Sequence, residues 1–239
     1  MSNAFFEIPI PINEPVKEFR DGSIEKKELL NTIQEMKKNQ VDIPMIIKGK
    51  EVKTSKKIEI RAPHNHKLKL GTFNEGDESH VKMAIDAALK AKKEWGSMSW
   101  QSRASIFLKA AELISGPYRS KINGSTMLGQ SKNVFQAEID AACEFIDFLN
   151  FNASYMEEIY KNQPESSDGM WNRLDYRPLE GFVFAISPFN FTSIAGNLCA
   201  SPALMGNTVV WKPAYPQIYS ANIIMEVFKK AGLPDGVIN

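Results

Sequence analysis

A chain of 239 residues, 43% hydrophobic and 24% charged, is long enough to bury a sizeable core and has a globular rather than a disordered balance. Its formal charge of +1, from 29 basic and 28 acidic residues, gives no electrostatic ground for a nucleic-acid or membrane partner. Two scattered cysteines, Cys143 and Cys199, make neither a disulfide framework nor a zinc site, and they point to a reducing, cytoplasmic setting.

The opening Met1–Ile12 has no basic region ahead of a long apolar run and does not read as a secretory signal. No apolar run approaches the roughly 18–20 residues needed to span a bilayer. Residues 1–24 are Pro-rich and read as an extended arm. Ser23 is placed to cap a helix through about Lys38. Two short apolar segments around Lys48-Gly49 predict a tight β-hairpin, and the alternation of Lys57–Arg61 predicts a further strand. A turn at Pro63 to His66 leads into Lys67–Phe73.

Four helices follow. The first starts near Asp77 and is expected to turn Val81, Ala84, Ile85, Ala88 and Leu89 inward. The second covers about Trp100–Ser115 and the third about Tyr118–Gln130. The fourth is long, Val134 to Tyr160, with Ile139, Ala142, Cys143, Ile146 and Leu149 on the helical period. A polar loop at residues 162–169 precedes Trp171–Arg177, which reads as a strand.

Phe182–Ile186 is a continuous apolar run of the kind buried on both faces of a parallel sheet. A helix at about Ser193–Met205, a strand at Thr208–Trp211, a helix at Ile218–Lys230 and the start of a strand at Val237-Ile238 complete the chain. Strand–helix–strand–helix–strand is the right-handed parallel unit of an α/β nucleotide-binding sheet.

Ligands of such sheets sit beyond the carboxyl ends of the strands. The first strand ends in Ser187-Pro-Phe-Asn-Phe-Thr192 and the second in Trp211-Lys-Pro213, so both loops meet at one edge. An amide such as that of Asn190 can donate to a developing oxyanion, and equally can cap the helix that follows. Lys212 can bind ribose hydroxyls or phosphate, or stand as a solvated loop charge.

Leu179–Thr192, with Phe-Val-Phe-Ala-Ile-Ser-Pro-Phe-Asn-Phe-Thr, resembles the core strand and oxyanion loop of the aldehyde dehydrogenases. Ala203–Pro213 resembles their adenosine-ribose strand, and Ala231–Asn239 the segment before their next sheet strand. Ala104–Ile114 and Gln136–Ala142 resemble in particular the 1-pyrroline-5-carboxylate dehydrogenases. The resemblance implies an α/β fold: helices plus an incomplete Rossmann-like parallel sheet, the amino-terminal part of the family fold. It divides the chain into an arm and helix (1–40) and the amino-terminal part of an NAD-binding domain (41–239). Residues 170–180 resemble a strand of the family's oligomerisation arm. The catalytic cysteine, the general-base glutamate and the thiol-bearing domain are expected after Asn239.

By the same resemblance Asn190 is the oxyanion donor and Lys212 binds the adenosine ribose of NAD. Ile186, Ser187, Pro188 and Phe189 line the cofactor. Phe191 packs on the substrate's aliphatic chain, and Glu144 lies near its amino group; from sequence alone Glu144 reads as a solvated helix residue. The family often has an acidic or small polar residue after the Lys-Pro pair, where this chain has Ala214-Tyr215-Pro216. Cys199, on a small-residue helix, reads as a buried structural thiol, as does Cys143. No metal is expected. The implied activity is NAD-dependent oxidation of L-glutamate γ-semialdehyde to glutamate in proline catabolism, by a homo-oligomer in full-length form. An aldehyde dehydrogenase of different substrate, or a non-catalytic truncated fragment, stand as alternatives.

Overall fold

The structure, a computed structural model, describes residues 5–239. The first four residues of the expected arm lie outside the described residues. From Phe5 to Arg20 the arm runs without helix or strand. It is nonetheless pinned along its length by acidic side chains. Ile8 N donates to Glu157 (2.7 Å), Glu14 N to Asp147 (2.7 Å) and Lys17 N to Glu138 (2.8 Å).

Helix α1 (Ile24–Lys38) begins at Ser23, whose hydroxyl accepts from Lys26 N. Strand β1 (Val41–Ile43) pairs in parallel with β5 (Asn65–Asn74), which pairs antiparallel with β4 (Lys57–Ala62). The hairpin forms as predicted, β2 (Met45–Ile47) against β3 (Lys50–Val52), with Lys48 and Gly49 both at positive φ (53° and 69°). That pair of dihedrals suits a two-residue turn whose twist matches the strands. At Gly49 glycine is needed twice over, because a Cβ there would lie 1.8 Å from Asp235 Oδ1.

Helix α2 (Glu78–Ser97) is capped by Asp77. Its buried side is Ala84, Ala87, Ala88 and Trp95, while Val81 and Leu89, expected inward, are exposed. The small residues won because α2 lies close over the hairpin and the sheet, where Ile47 and Val210 pack against its alanines. Helices α3 (Trp100–Ser115) and α4 (Arg119–Gln130) match their predicted spans.

The long fourth helix is interrupted. A short α5 (Val134–Ala137) passes into a π-helical stretch, Glu138–Glu144, before α6 (Phe145–Lys161) resumes the ordinary pitch. Apolar spacing over seven residues does not separate the two pitches, so periodicity could not reveal the change.

Trp171–Arg177 is not a strand here. A ladder needs a second strand, and this segment instead bonds to the loop before it: Leu174 N donates to Gln163 Oε1 (2.8 Å) and Tyr176 Oη to Asn162 O (2.8 Å). Met170, Trp171 and Leu174 are exposed.

Strand β6 (Val183–Ile186) pairs in parallel with β7 (Val209–Lys212), joined by α7 (Thr192–Leu204). After α8 (Ile218–Ala231) the chain returns beside β7. Val209 N donates to Val237 O (2.7 Å) and Trp211 N to Asn239 O (2.8 Å), though only one bridge, Val209 to Ile238, is regular. One face of this sheet packs on the main core, where Phe228 meets Phe107 and Phe145 edge-on at 5.9 and 6.1 Å. On the other face Val210 is covered by α2 and the hairpin, but Phe184 and Ile186 remain 56% and 62% exposed. Thus β6 is buried on one face rather than both, since no described element crosses its outer side.

Candidate active site

The level register Ile186↔Lys212 brings the ends of β6 and β7 to the same edge. Ser187, the first residue past β6, is buried. Its hydroxyl donates to Gln217 Oε1 (3.0 Å) and accepts from the Trp211 indole N–H (3.0 Å). Gln217, fully buried in the 3₁₀ turn Tyr215–Gln217, donates through Nε2 to Phe191 O (2.8 Å). A carbonyl can only accept, so the amide nitrogen must face Phe191 and the amide oxygen Ser187. One orientation therefore satisfies all four groups and ties the loop after β6 to the loop after β7.

The far end of the first loop is held differently. Helix α7 starts at Thr192, and Phe191 in the capping position supplies no side-chain acceptor. The missing acceptor comes from the π-helix. Asp140 Oδ1 accepts from Ser193 N (3.2 Å) and Ser193 Oγ (2.9 Å), and Oδ2 accepts from Thr192 N (3.3 Å). Lys132 Nζ, 2.6 Å from Asp140 Oδ2, also sits 4.0 Å over the Phe191 ring. Thr192 Oγ1 meets Thr126 Oγ1 at 2.8 Å and accepts from Gln130 Nε2 at 2.7 Å. Close approach of α7 to the π-helix and α6 depends on Gly196, whose added Cβ would lie 2.3 Å from the Phe145 ring.

Between these anchors stands Asn190. It is exposed, and its side chain makes no hydrogen bond among the described residues. The capping position belongs to Phe191, one residue later, so the cap role weighed for Asn190 is not the one the backbone gives it. Beside it Phe189 and Ile186 are exposed and Pro188 half-buried. Glu144 is not a solvated helix residue: half-buried, it accepts from Ser193 Oγ (2.9 Å).

Lys212 projects from the end of β7, exposed, with Nζ 5.0 Å over the Tyr215 ring. Tyr215 in turn donates to Glu75 Oε1 (2.9 Å). The Lys56 ammonium and this hydroxyl hold the Glu75 carboxyl below its usual range. A cleft of about 340 Å³ opens beside Lys212, lined by Phe184, Val210, Met45, Val81 and Met225. Asn190 and Phe189 do not line it, so the structure sets the two loops side by side without joining them in one cavity.

Neither cysteine is a candidate nucleophile in this arrangement. Cys199 is wholly buried, and burial pushes its thiol well above the ordinary range; burial likewise pushes Cys143 up to about 12. Sequence reasoning missed Asp140, Lys132 and Gln217. The need for the first shows only in the structure: with Phe191 in the capping position the helix has no side-chain acceptor of its own, and a buried acceptor from elsewhere is then required.

An amide-bearing loop and a lysine-bearing loop at one edge of a parallel sheet, with helices on the crossover face, define an α/β nucleotide-binding half-sheet. The aldehyde dehydrogenase family model matches residues 51–239, and the chain belongs to that family. Among its relatives, the delta-1-pyrroline-5-carboxylate dehydrogenase of Agaricus bisporus is 50% identical over 98% of this chain and 43% of its own length. The mitochondrial enzyme of that name from Homo sapiens is 46% identical over 95% of this chain and 40% of its own length. The structure superposes on the Delta-pyrroline-5-carboxylate dehydrogenase of Mycobacterium tuberculosis bound with NAD and cobalamin, with a TM-score of 0.99 and 46% identity, covering 100% of this chain and 45% of that one. The chain therefore spans less than half the length of the relatives it matches. No described helix is long and apolar enough to cross a membrane.

Proposed function

We propose that this chain is the amino-terminal part of an NAD-dependent enzyme that oxidises L-glutamate γ-semialdehyde, the open form of 1-pyrroline-5-carboxylate, to glutamate in proline catabolism. The observation that carries the reading is the exposed Asn190 amide, unpaired among the described residues, on a loop that leaves β6 at the same sheet edge as Lys212, in a chain 46–50% identical to enzymes of that name.

The residues present fit NAD. The Lys212 ammonium makes no hydrogen bond to a described residue, and a cleft opens beside it at the strand end where dinucleotides are held. Its ammonium would bind the adenosine ribose, and Ile186 to Phe189 would line the bound cofactor. When bound, NAD supplies the two-electron acceptor. The work of this chain is to bind and orient. As a thiolate adds to the aldehyde carbon, negative charge grows on the aldehyde oxygen, and the Asn190 amide is the donor offered to it. Phe191, under Lys132, would pack its ring on the substrate's methylenes, and Glu144 would offer a carboxylate to its ammonium.

The thiolate is neither Cys143 nor Cys199, both being buried and neutral. The free buried thiols support a reducing compartment, for which the cytoplasm is our reading. The exposed, extended Trp171–Arg177 supports a homo-oligomer in which this segment pairs with a second copy. The test is NADH formation by the intact enzyme with 1-pyrroline-5-carboxylate against a panel of short aliphatic aldehydes. A clear kcat/KM preference for a neutral aldehyde over 1-pyrroline-5-carboxylate would overturn the substrate assignment.

A further inference from the structure

We propose that Asp140 and Lys132 form a positioning pair that fixes the Asn190 loop and sets how much of Glu144 is free for substrate; this rests on the function proposed above. Neither residue is placed to touch the reacting atoms. Both act through the start of α7.

Asp140 is 3% exposed, on the π-helix, and its two oxygens take up the first two amides of α7. Those amides carry the positive end of the helix, so a carboxylate there is favoured over any neutral acceptor. A buried carboxylate needs a counter-charge, and Lys132 supplies it at 2.6 Å. The same ammonium rests on the Phe191 ring, one residue after Asn190. The pair therefore grips the loop from both sides: Asp140 holds the backbone after Asn190, and Lys132 holds the adjoining side chain.

Ser193 adds a consequence for Glu144. Its hydroxyl lies 2.9 Å from both Asp140 Oδ1 and Glu144 Oε2, and it has a single hydrogen to give. When that hydrogen points to Asp140, Glu144 is released from its one protein donor among the described residues and is open to a substrate ammonium. When it points to Glu144, the carboxylate is partly satisfied and a weaker partner. Lys132 draws charge from Asp140 and so tempers its competition for that hydrogen.

The test uses the intact enzyme with Asp140→Asn, Lys132→Met and Lys132→Arg. Asp140→Asn and Lys132→Met should each lower kcat on the order of 10–100-fold, the scale of a misplaced catalytic group. KM for NAD should stay within about twofold, because among the described residues neither Asp140 nor Lys132 bonds to Lys212 or to the Ser187–Gln217–Trp211 anchor at the root of its loop; Lys132→Arg, which keeps the charge, should restore most of kcat. The double variant Asp140→Asn/Lys132→Met should be no worse than either single one, as for two residues acting as a unit. Losses that multiply, or equal losses in NAD binding, would overturn the proposal and mark the pair as ordinary scaffold. If the wild type turns over a different aldehyde, the function assignment fails and the kcat comparison is read on that aldehyde. If it turns over none, hydrogen exchange at the Thr192 and Ser193 amides decides the positioning role: unchanged protection in folded Asp140→Asn overturns it. Should Asp140→Asn not fold, Lys132→Met against Lys132→Arg carries the same decision.

Discussion

The two loops at the sheet edge are held in opposite ways. The loop from Ser187 to Phe191 is fastened by buried groups, Gln217 at both its ends and Asp140 at the amides just beyond it, and leaves only its tip free. The loop from Trp211 to Tyr215 is fastened at its root through the Trp211 indole, but farther out its contacts are exposed: a lysine over a tyrosine ring and a tyrosine on Glu75. A donor that must meet a charge appearing briefly gains from rigidity, since it does not reorganise as the charge forms. A side chain that grips a departing cofactor gains from reach.

Substitutions can break that contrast. The largest effect is expected from Asn190→Ala, which should lower kcat of the intact enzyme on the order of 10²–10³-fold. It should leave the melting temperature unchanged, because the side chain bonds to nothing in the described structure. A fall in melting temperature with kcat intact would make Asn190 a structural residue. Next comes Gln217→Leu, of similar size, which strands the Ser187 hydroxyl on one side and weakens the hold on Phe191 O on the other. It should cost about 1–3 kcal/mol of stability, read by urea or thermal unfolding. Lys212→Met should raise KM for NAD roughly tenfold, equivalent to about 1.4 kcal/mol, with little change in stability or kcat. Equal losses in kcat and NAD binding would show that the shared Ser187–Gln217–Trp211 anchor couples the tips of the two loops as well as their roots.

The smallest effect concerns Tyr215. Tyr215→Phe removes one donor from Glu75, so the Glu75 carboxyl should titrate closer to its ordinary value, as followed by carboxyl NMR. The sign is set by the lowered folded value. The Lys56–Glu75–Tyr215 contact stabilises above the ordinary glutamate range and is lost as the pH falls through the folded value. In the variant that loss should be smaller and complete at higher pH. An unmoved Glu75 would mean that Lys56 alone holds it.

Much of this edge was legible in the sequence because it rests on local signals. The hairpin at Lys48-Gly49, the Ser23 cap and the strand–helix–strand order from 182 to 211 follow from turn chemistry, capping and apolar runs. What failed depends on partners distant in sequence. The apolar run at 182–186 reads as doubly buried, yet what covers the outer side of Phe184 and Ile186 is not a matter of local pattern. Trp171–Arg177 has strand composition, but composition supplies no second strand. Val81 and Leu89 lie on a plausible apolar stripe of α2, and only close packing on the hairpin explains why alanines take the inward side. Asp140 and Gln217 reach the site across 52 and 26 residues, farther than any spacing rule extends.

The π-helical stretch Glu138–Glu144 gives the site an unusual sensitivity to chain length. A wider turn holds one residue more than an α-turn needs. Removing a single residue there would let α5 and α6 close into one uniform helix with no loss of backbone hydrogen bonds. Because the surplus residue is taken up within that one stretch, the flanking helices would keep their faces, and the change would fall on the side chains of the stretch itself. Glu138, which Arg119 Nε meets at 3.1 Å, Asp140 and Glu144 all lie in it, so the deletion would alter their spacing around the helix rather than the course of α5 or α6. Loops usually absorb such indels. Here a helix interior keeps the count, and the more regular helix would hold the three carboxylates at a different spacing.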